Sequence, residues 1–324
     1  MTSSELLSIL AIAVAAAAPI IIAAIGETIT ERAGVINLSA DGVILLAGLA
    51  GFVAAQASGA TIVGFMAAAV VGALVALVVA FGAITLKQSQ TAIGFVLALL
   101  CTDLSSFLGA PFVLTDAPRA PSLPLPLLGD IPVLGPIFFR ADAVVYFTYA
   151  LVAVTWIYFY RSRPGLLLRA VGEQPAAAFA RGVNVIATRY AYTIAGGALV
   201  GIAGAAFTLD IKAGWTFRHV AGYGWIALAL VIFGGWNPLR VAVGAILFGI
   251  MQSLLGKAQD VVTIIPTQVF PILPFVFMIV VLVVSSGDLL DRLARLLPLG
   301  ARRAVLRALR SVPPNALGRA FEQD

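Results

Sequence analysis

Apolar residues run through this chain in blocks of about twenty, with short polar clusters between them. A bilayer core takes about 17–25 helical residues to cross, and the pattern predicts spans near 6–25, 43–58, 61–86, 91–110, 141–160, 189–210, 224–235, 240–256 and 264–286. Backbone amides in hydrocarbon must bond within their own segment, and the periods are not those of alternating barrel strands, so the spans read as helices. The predicted fold class is all-α, a polytopic transmembrane bundle of eight or nine spans. Residues 1–286 form its membrane domain and 287–324 a tail. In the third span Gly64, Ala68, Gly72, Ala76 and Ala80 recur every four residues, a stripe that lets a neighbouring helix come close.

Three polar clusters break this pattern. "GETITERAGVINLSADG", residues 26–42, gathers Glu27, Glu31, Arg32, Asn37, Ser39 and Asp41 among Gly26, Gly34 and Gly42. A helix starting near Gly42 would aim its unpaired amides at Asn37, Ser39 and Asp41, as the broken helices of transporters do around a solute. A short aqueous loop with Asp41 as an N-cap accounts for the same residues. The second cluster opens a span with Gly222 and Gly224 and interrupts it at Gly234-Gly235-Trp236-Asn237-Pro238. Two interrupted segments point to an internal pseudo-repeat around a translocation path, with a tight hairpin as the plainer reading. The third, "LRAVGEQPAAAFARGVNV", predicts a short helix from Pro175 to Arg181 with Gly182 beyond its end. So short a helix holds its shape only when packed, and its alanines with Phe179 form a knob able to enter a partner's groove. An interfacial loop helix is the alternative.

Composition narrows the class. The 324 residues are 61% hydrophobic and 11% charged, with a mean hydropathy of +1.05, outside the range of soluble domains. Of the 20 basic residues, 12 are arginines in two segments, Arg161–Arg189 and Arg292–Arg319. That placement marks the cytoplasmic side and argues against a nucleic-acid surface. It puts 161–188 inside, 111–140 and 211–223 outside and the tail inside, and it leaves the N-terminus open: alternation puts it outside, a re-entrant 26–42 inside. Glu5 stands where a signal peptide would carry a basic residue, so Leu6–Ile25 reads as a retained span. The leucines and arginines beyond Gly287 predict a helix lying against anionic membrane lipid.

One cysteine, Cys101, and one histidine, His219, exclude disulfide frameworks and His/Cys metal sites. No cofactor is implied. Gly256-Lys257 is followed by Ala258 with no glycine-rich loop before it, so the chain carries no Walker A sequence. Asp103 and Asp210 are the chief carboxylates within spans, few for a proton-coupled carrier. A self-sufficient secondary carrier and a membrane-embedded enzyme are the readings from other classes.

The three clusters together resemble the permease subunits of bacterial ABC importers for simple sugars and nucleosides, the branch served by lipoprotein receptors. Gly26, Glu27, Glu31, Arg32, Ala33, Gly34, Val35, Asn37, Leu38, Asp41 and Gly42 stand at the family's places in the first segment. Arg169, Ala170, Val171, Gly172, Glu173, Pro175, Ala177, Ala178, Gly182, Val183 and Asn184 do so in the cytoplasmic one. Gly222 to Phe248 is similar to the late segment, and the likeness runs from about residue 20 to 286. Ser39-Ala40-Asp41 departs from the commoner glycine-containing, Glu-ending version.

The resemblance implies a multi-pass inner-membrane subunit, not an enzyme. It would pair with a second, paralogous permease, a cytoplasmic ABC ATPase and an external solute-binding lipoprotein. It implies a path for nucleosides or related small polar solutes, with sugars as the alternative, bordered by Gly34, Asn37, Ser39, Asp41, Gly42, Gly222, Gly224, Trp236 and Asn237. Glu27, Glu31 and Arg32 would hold the break in place, and Gly172, Glu173, Pro175, Ala177, Phe179, Arg181 and Gly182 would couple to the ATPase.

Overall fold

In a computed structural model the chain is described over residues 3–261 apart from 114, 127 and 213, at scattered positions between 272 and 298, and over 312–322. Ten α-helices follow in order among the described residues: α1 Ser3–Arg32, α2 Ala40–Ser58, α3 Thr61–Ala80, α4 Gln90–Gly109, α5 Ala143–Arg161, α6 Arg163–Glu173, α7 Pro175–Ala180, α8 Val185–Ala206, α9 Tyr223–Phe233 and α10 Pro238–Val261. Wide helical turns extend α3 over Phe81–Thr85 and α8 over Phe207–Ile211. Seven of these helices are long and apolar enough to cross a membrane, and α9, with 11 residues, is half their length. The predicted span 264–286 and the lipid-facing helix beyond 287 lie mostly outside the described residues.

Three predictions need correction. The first helix does not stop at Ile25: it continues through Glu27, Glu31 and Arg32, so these three are helical and only 33–39 separates it from α2. Residues 26–42 are therefore not re-entrant. Because Arg32 meets Glu173, the Ser3 end of α1 lies at the opposite end of the bundle from the arginine-rich segment, as simple alternation predicts. Asp41 is not the N-cap of α2 either; Ser39 holds that position without a side-chain cap bond. The segment 224–235 is a half-length helix rather than a full span.

Local chemistry sets the ends. Gly34, at φ +90°, closes α1 as a Schellman turn, with Gly34 N–H donating to Glu31 O at 2.9 Å and Val35 N–H to Thr30 O at 3.3 Å. Ser162 and Asn184 cap α6 and α8 through Gly165 N–H and Ala187 N–H. α7 starts at Pro175, suited to a first turn, and is followed two residues past its end by Gly182 at φ +83°.

α8 sits at the centre, packed on α1, α2 and α3. Lipid tails are as apolar as leucine, so helices associate through close contact rather than water exclusion. The α3 stripe supplies it: Gly64, Ala68, Gly72, Ala76 and Ala80 are all buried, and a Cβ on Gly72 would strike the Gly197 carbonyl of α8. Ile20, Ile22, Ile44, Phe52, Val200 and Phe207 fill the core around this seam.

Candidate functional site

After α8 the chain turns back into the bundle. Trp215 packs its ring on Gly109 at the end of α4, Arg218 reaches Asp103 farther down that helix, and Gly222 arrives at Asp41. Here α9 begins. The Asp41 carboxylate accepts from Gly222 N–H at 2.7 Å and Gly224 N–H at 3.0 Å. A carboxylate from α2 thus caps the helix start of α9, satisfying amides that α9 cannot and complementing its dipole. Gly224 lies so close to the Asp41 backbone that no side chain fits there. The two glycine-marked clusters of the sequence therefore meet through Asp41, Gly222 and Gly224.

The other end of α9 is held differently. Trp236 sits at φ +55°, a left-handed conformation that a bulky residue adopts only when its surroundings impose it. Its indole N–H donates to the Glu31 carboxylate. Arg32 donates from Nε to Trp236 O at 3.1 Å and from Nη2 to Gly235 O at 3.4 Å. The same guanidinium lies 3.7 Å from the Glu173 carboxylate at the end of α6. Asn237 accepts from Leu239 N–H at 3.0 Å as the N-cap of α10 and donates to the Tyr160 hydroxyl at 3.3 Å. One arginine joins α1, the α9–α10 turn and α6.

Between these ends lies a buried polar knot. Asn37 donates to Glu27 at 3.1 Å and accepts from the Ser39 N–H at 3.2 Å and hydroxyl at 2.5 Å, and all three side chains are fully buried. Glu27 Oε2 has no partner among the described residues. Ile36 N–H bonds to Gln90 at 2.8 Å, fixing the turn to the start of α4. Gly42 faces α4, where a Cβ would run into the Ala98 carbonyl. Gly34, Asn37, Ser39, Trp236 and Asn237 thus gather toward the arginine-rich end, apart from Gly222 and Gly224.

The third cluster occupies that end. Gly172 lies against the Arg32 carbonyl, Glu173 pairs with Arg32, and Pro175, Ala177, Phe179 and Arg181 belong to or follow α7. Phe179 is 43% exposed although it is the bulkiest apolar group of α7, which leaves a knob on the surface. Sequence reasoning missed Arg189, fully buried on α8, and Arg218, the partner of Asp103. Asp103, a carboxylate inside a span, was the available signal for Arg218, because such a group calls for a cation.

A polytopic bundle with a half-length helix, tied by buried polar groups to an exposed loop helix, has the architecture of a membrane transport subunit. The family model described as the branched-chain amino acid transport system / permease component matches residues 8–282, and the chain belongs to that family. The putative glucose ABC transporter permease TsgC13 of Haloferax volcanii is 39% identical over 251 residues, 76% of each chain. The nucleoside ABC transporter permease NupC of Lactococcus lactis is 32% identical over 283 residues, 83% of this chain and 89% of that one. The guanosine ABC transporter permease NupQ of Bacillus subtilis is 32% identical over 283 residues, covering 82% and 88%. No solved structure matches. The chain is accordingly a multi-pass inner-membrane ABC permease subunit, served by a separate ATPase and a solute-binding protein.

Proposed function

We propose that this subunit forms half of a path for nucleosides or related small polar solutes, pairs with a paralogous second permease, and is driven through the segment Gly172–Gly182 by the cytoplasmic ATPase. The observation that carries this reading is the position of Arg32, in contact with Glu173 on one side and with the Gly235 and Trp236 carbonyls on the other. A push on α7 reaches α6, passes through Arg32 to the α9–α10 turn, and tilts α9 against its Asp41 anchor. Glu31, by holding Trp236, keeps the turn rigid enough to transmit the push. Asn37, Ser39 and Gly34 keep the α1–α2 turn in shape beside it. The solute undergoes no covalent change; the two arrangements of α9 open the path to alternate sides.

The path follows the face shared by α4 and α9. Asp103 and Arg218 form a 2.8 Å ion pair there, both side chains more than 60% exposed, well inside the Gln90–Phe112 span. Lipid would not tolerate an exposed pair at that depth, so this face belongs to a watery path or to the second permease. Phe95 and Trp225, partly exposed on the same two helices with ring centroids 6.4 Å apart, offer flat apolar surfaces suited to a nucleobase or a sugar ring.

Nucleosides are the first choice because two relatives named for them align over more than four-fifths of this chain. Simple sugars are the second, favoured by the higher identity to a putative glucose permease. Uptake of labelled guanosine and glucose into proteoliposomes holding the complete transporter decides between them. ATP- and receptor-dependent guanosine uptake is expected, reduced severalfold by Asp103→Asn, which removes the charge that pairs with Arg218 on the face of the path. Glucose uptake alone selects the second reading. Solute movement by this chain alone under an ion gradient overturns both.

A further inference from the structure

Residues 312–322 form no helix. They cross the arginine-rich end of the bundle with a single turn over 315–318. Ala316 N–H donates to Gly172 O at 2.9 Å, and Gly318 N–H donates to Gly34 O at 3.1 Å. Thus two neighbouring amides of one short stretch bond the coupling segment and the α1–α2 turn. Phe321 extends the stretch to Phe179, with ring centroids 5.8 Å apart.

This stretch is not built to lift away. Arg189 is 1% exposed, and its Nη1 donates to Arg319 O at 2.9 Å. Its Nε and Nη2 have no partner among the described residues. The strap carbonyl is therefore the one described acceptor for a buried cation, and removing it would strand the charge. Ala316 is itself buried. Gly318, at φ +74°, faces Ile36 so closely that a Cβ would lie 2.9 Å from Ile36 Cδ1. The direct Arg32–Glu173 contact spans 3.7 Å and its carboxylate is 42% exposed, and the main-chain bonds of the strap add a second tie between the coupling segment and the α1–α2 turn.

We infer that residues 312–322 are a permanent strap of the coupling machinery, holding Gly172–Gly182 at a fixed distance from Gly34 so that a displacement of α7 moves the α1–α2 turn with it. The inference rests on the reading of Gly172–Gly182 as the seat of the ATPase. The strap residues act by position, touching neither solute nor nucleotide.

The test uses the complete transporter in proteoliposomes, with ATP hydrolysis read in the presence and absence of loaded receptor, alongside uptake. Two variants remove the strap: a chain ending at Ser311, and Gly318→Pro, which deletes the N–H donated to Gly34 O and cannot adopt a positive φ. In both, the ATPase is expected to co-purify and to hydrolyse ATP at its basal rate. Stimulation by loaded receptor and uptake should fall together by about fivefold or more, the size of a typical coupling between sites. Normal stimulation in Gly318→Pro overturns the strap, as does loss of the ATPase from the complex, which would make the stretch part of the seat instead.

Phe179→Asp separates this inference from the reading beneath it. If that variant abolishes stimulation while the strap variants keep it, the strap alone fails; if all three keep it, the seat fails as well.

Discussion

The two ends of α9 are anchored by opposite means. At the Trp236 end a cation and a carboxylate from α1 hold backbone carbonyls and an indole, and the same cation touches Glu173. At the Gly222 end a single carboxylate from α2 holds two backbone amides, with no described contact to Gly172–Gly182. Under the proposed relay the first anchor joins the half-helix to the loop that takes the push, and the second gives it a pivot. Damage to the first should therefore disconnect hydrolysis from transport, and damage to the second should loosen the path itself.

The largest effect is expected from Arg32→Ala, which removes both carbonyl bonds and the Glu173 contact together. Hydrogen bonds to charged groups contribute about 1.5–3 kcal/mol each, so uptake should drop about a hundredfold with receptor stimulation of hydrolysis lost. Arg32→Lys should recover only part, since a point charge cannot serve two carbonyls in a fixed fork. Uptake by Arg32→Ala within twofold of the parent would remove this anchor from the relay.

Asp41→Ala comes next, leaving two amides without an acceptor at about 1–3 kcal/mol each. Asp41→Asn keeps an acceptor and gives up the charge at the helix start, about 0.3–1 kcal/mol. Uptake should therefore rank parent, Asn, Ala, with uptake losing more than stimulated hydrolysis does. Equal losses in the two readouts would erase the distinction between pivot and link.

Asn237→Ala is the mildest of the three. It removes the N-cap of α10 and the bond to Tyr160 and should lower stability by about 1 kcal/mol in a thermal melt, with Asn237→Ser restoring most of it. An unchanged melting temperature would mean that the turn is held by Arg32 and Glu31 alone.

The bundle was legible in the sequence because hydrocarbon leaves the backbone no alternative to helices, and Pro175 and Gly182 marked real ends. The misreadings share a cause. Glu27, Glu31 and Arg32 looked like loop residues because polar groups seldom continue a span, yet their partners Asn37 and Trp236 bury them within the bundle. Trp236 lies about two hundred residues from Glu31, so no local window contains the pair. The spacing of Glu27 and Glu31 by four was the only local hint of one helical face. Asp41 misled for a related reason: it caps a helix, but one formed 181 residues later. The docking of 312–322 left no trace in composition, since its contacts to Gly34 and Gly172 run through the main chain.

The interlocked glycines of α3 and α8 have a mechanical consequence. A seam in which Gly72 has no room for even a methyl group beside the Gly197 carbonyl brings the two backbones into direct contact over several turns. Under the proposed relay these two helices would serve as its stator, with conformational work carried by the lighter parts hung around them, α9 foremost.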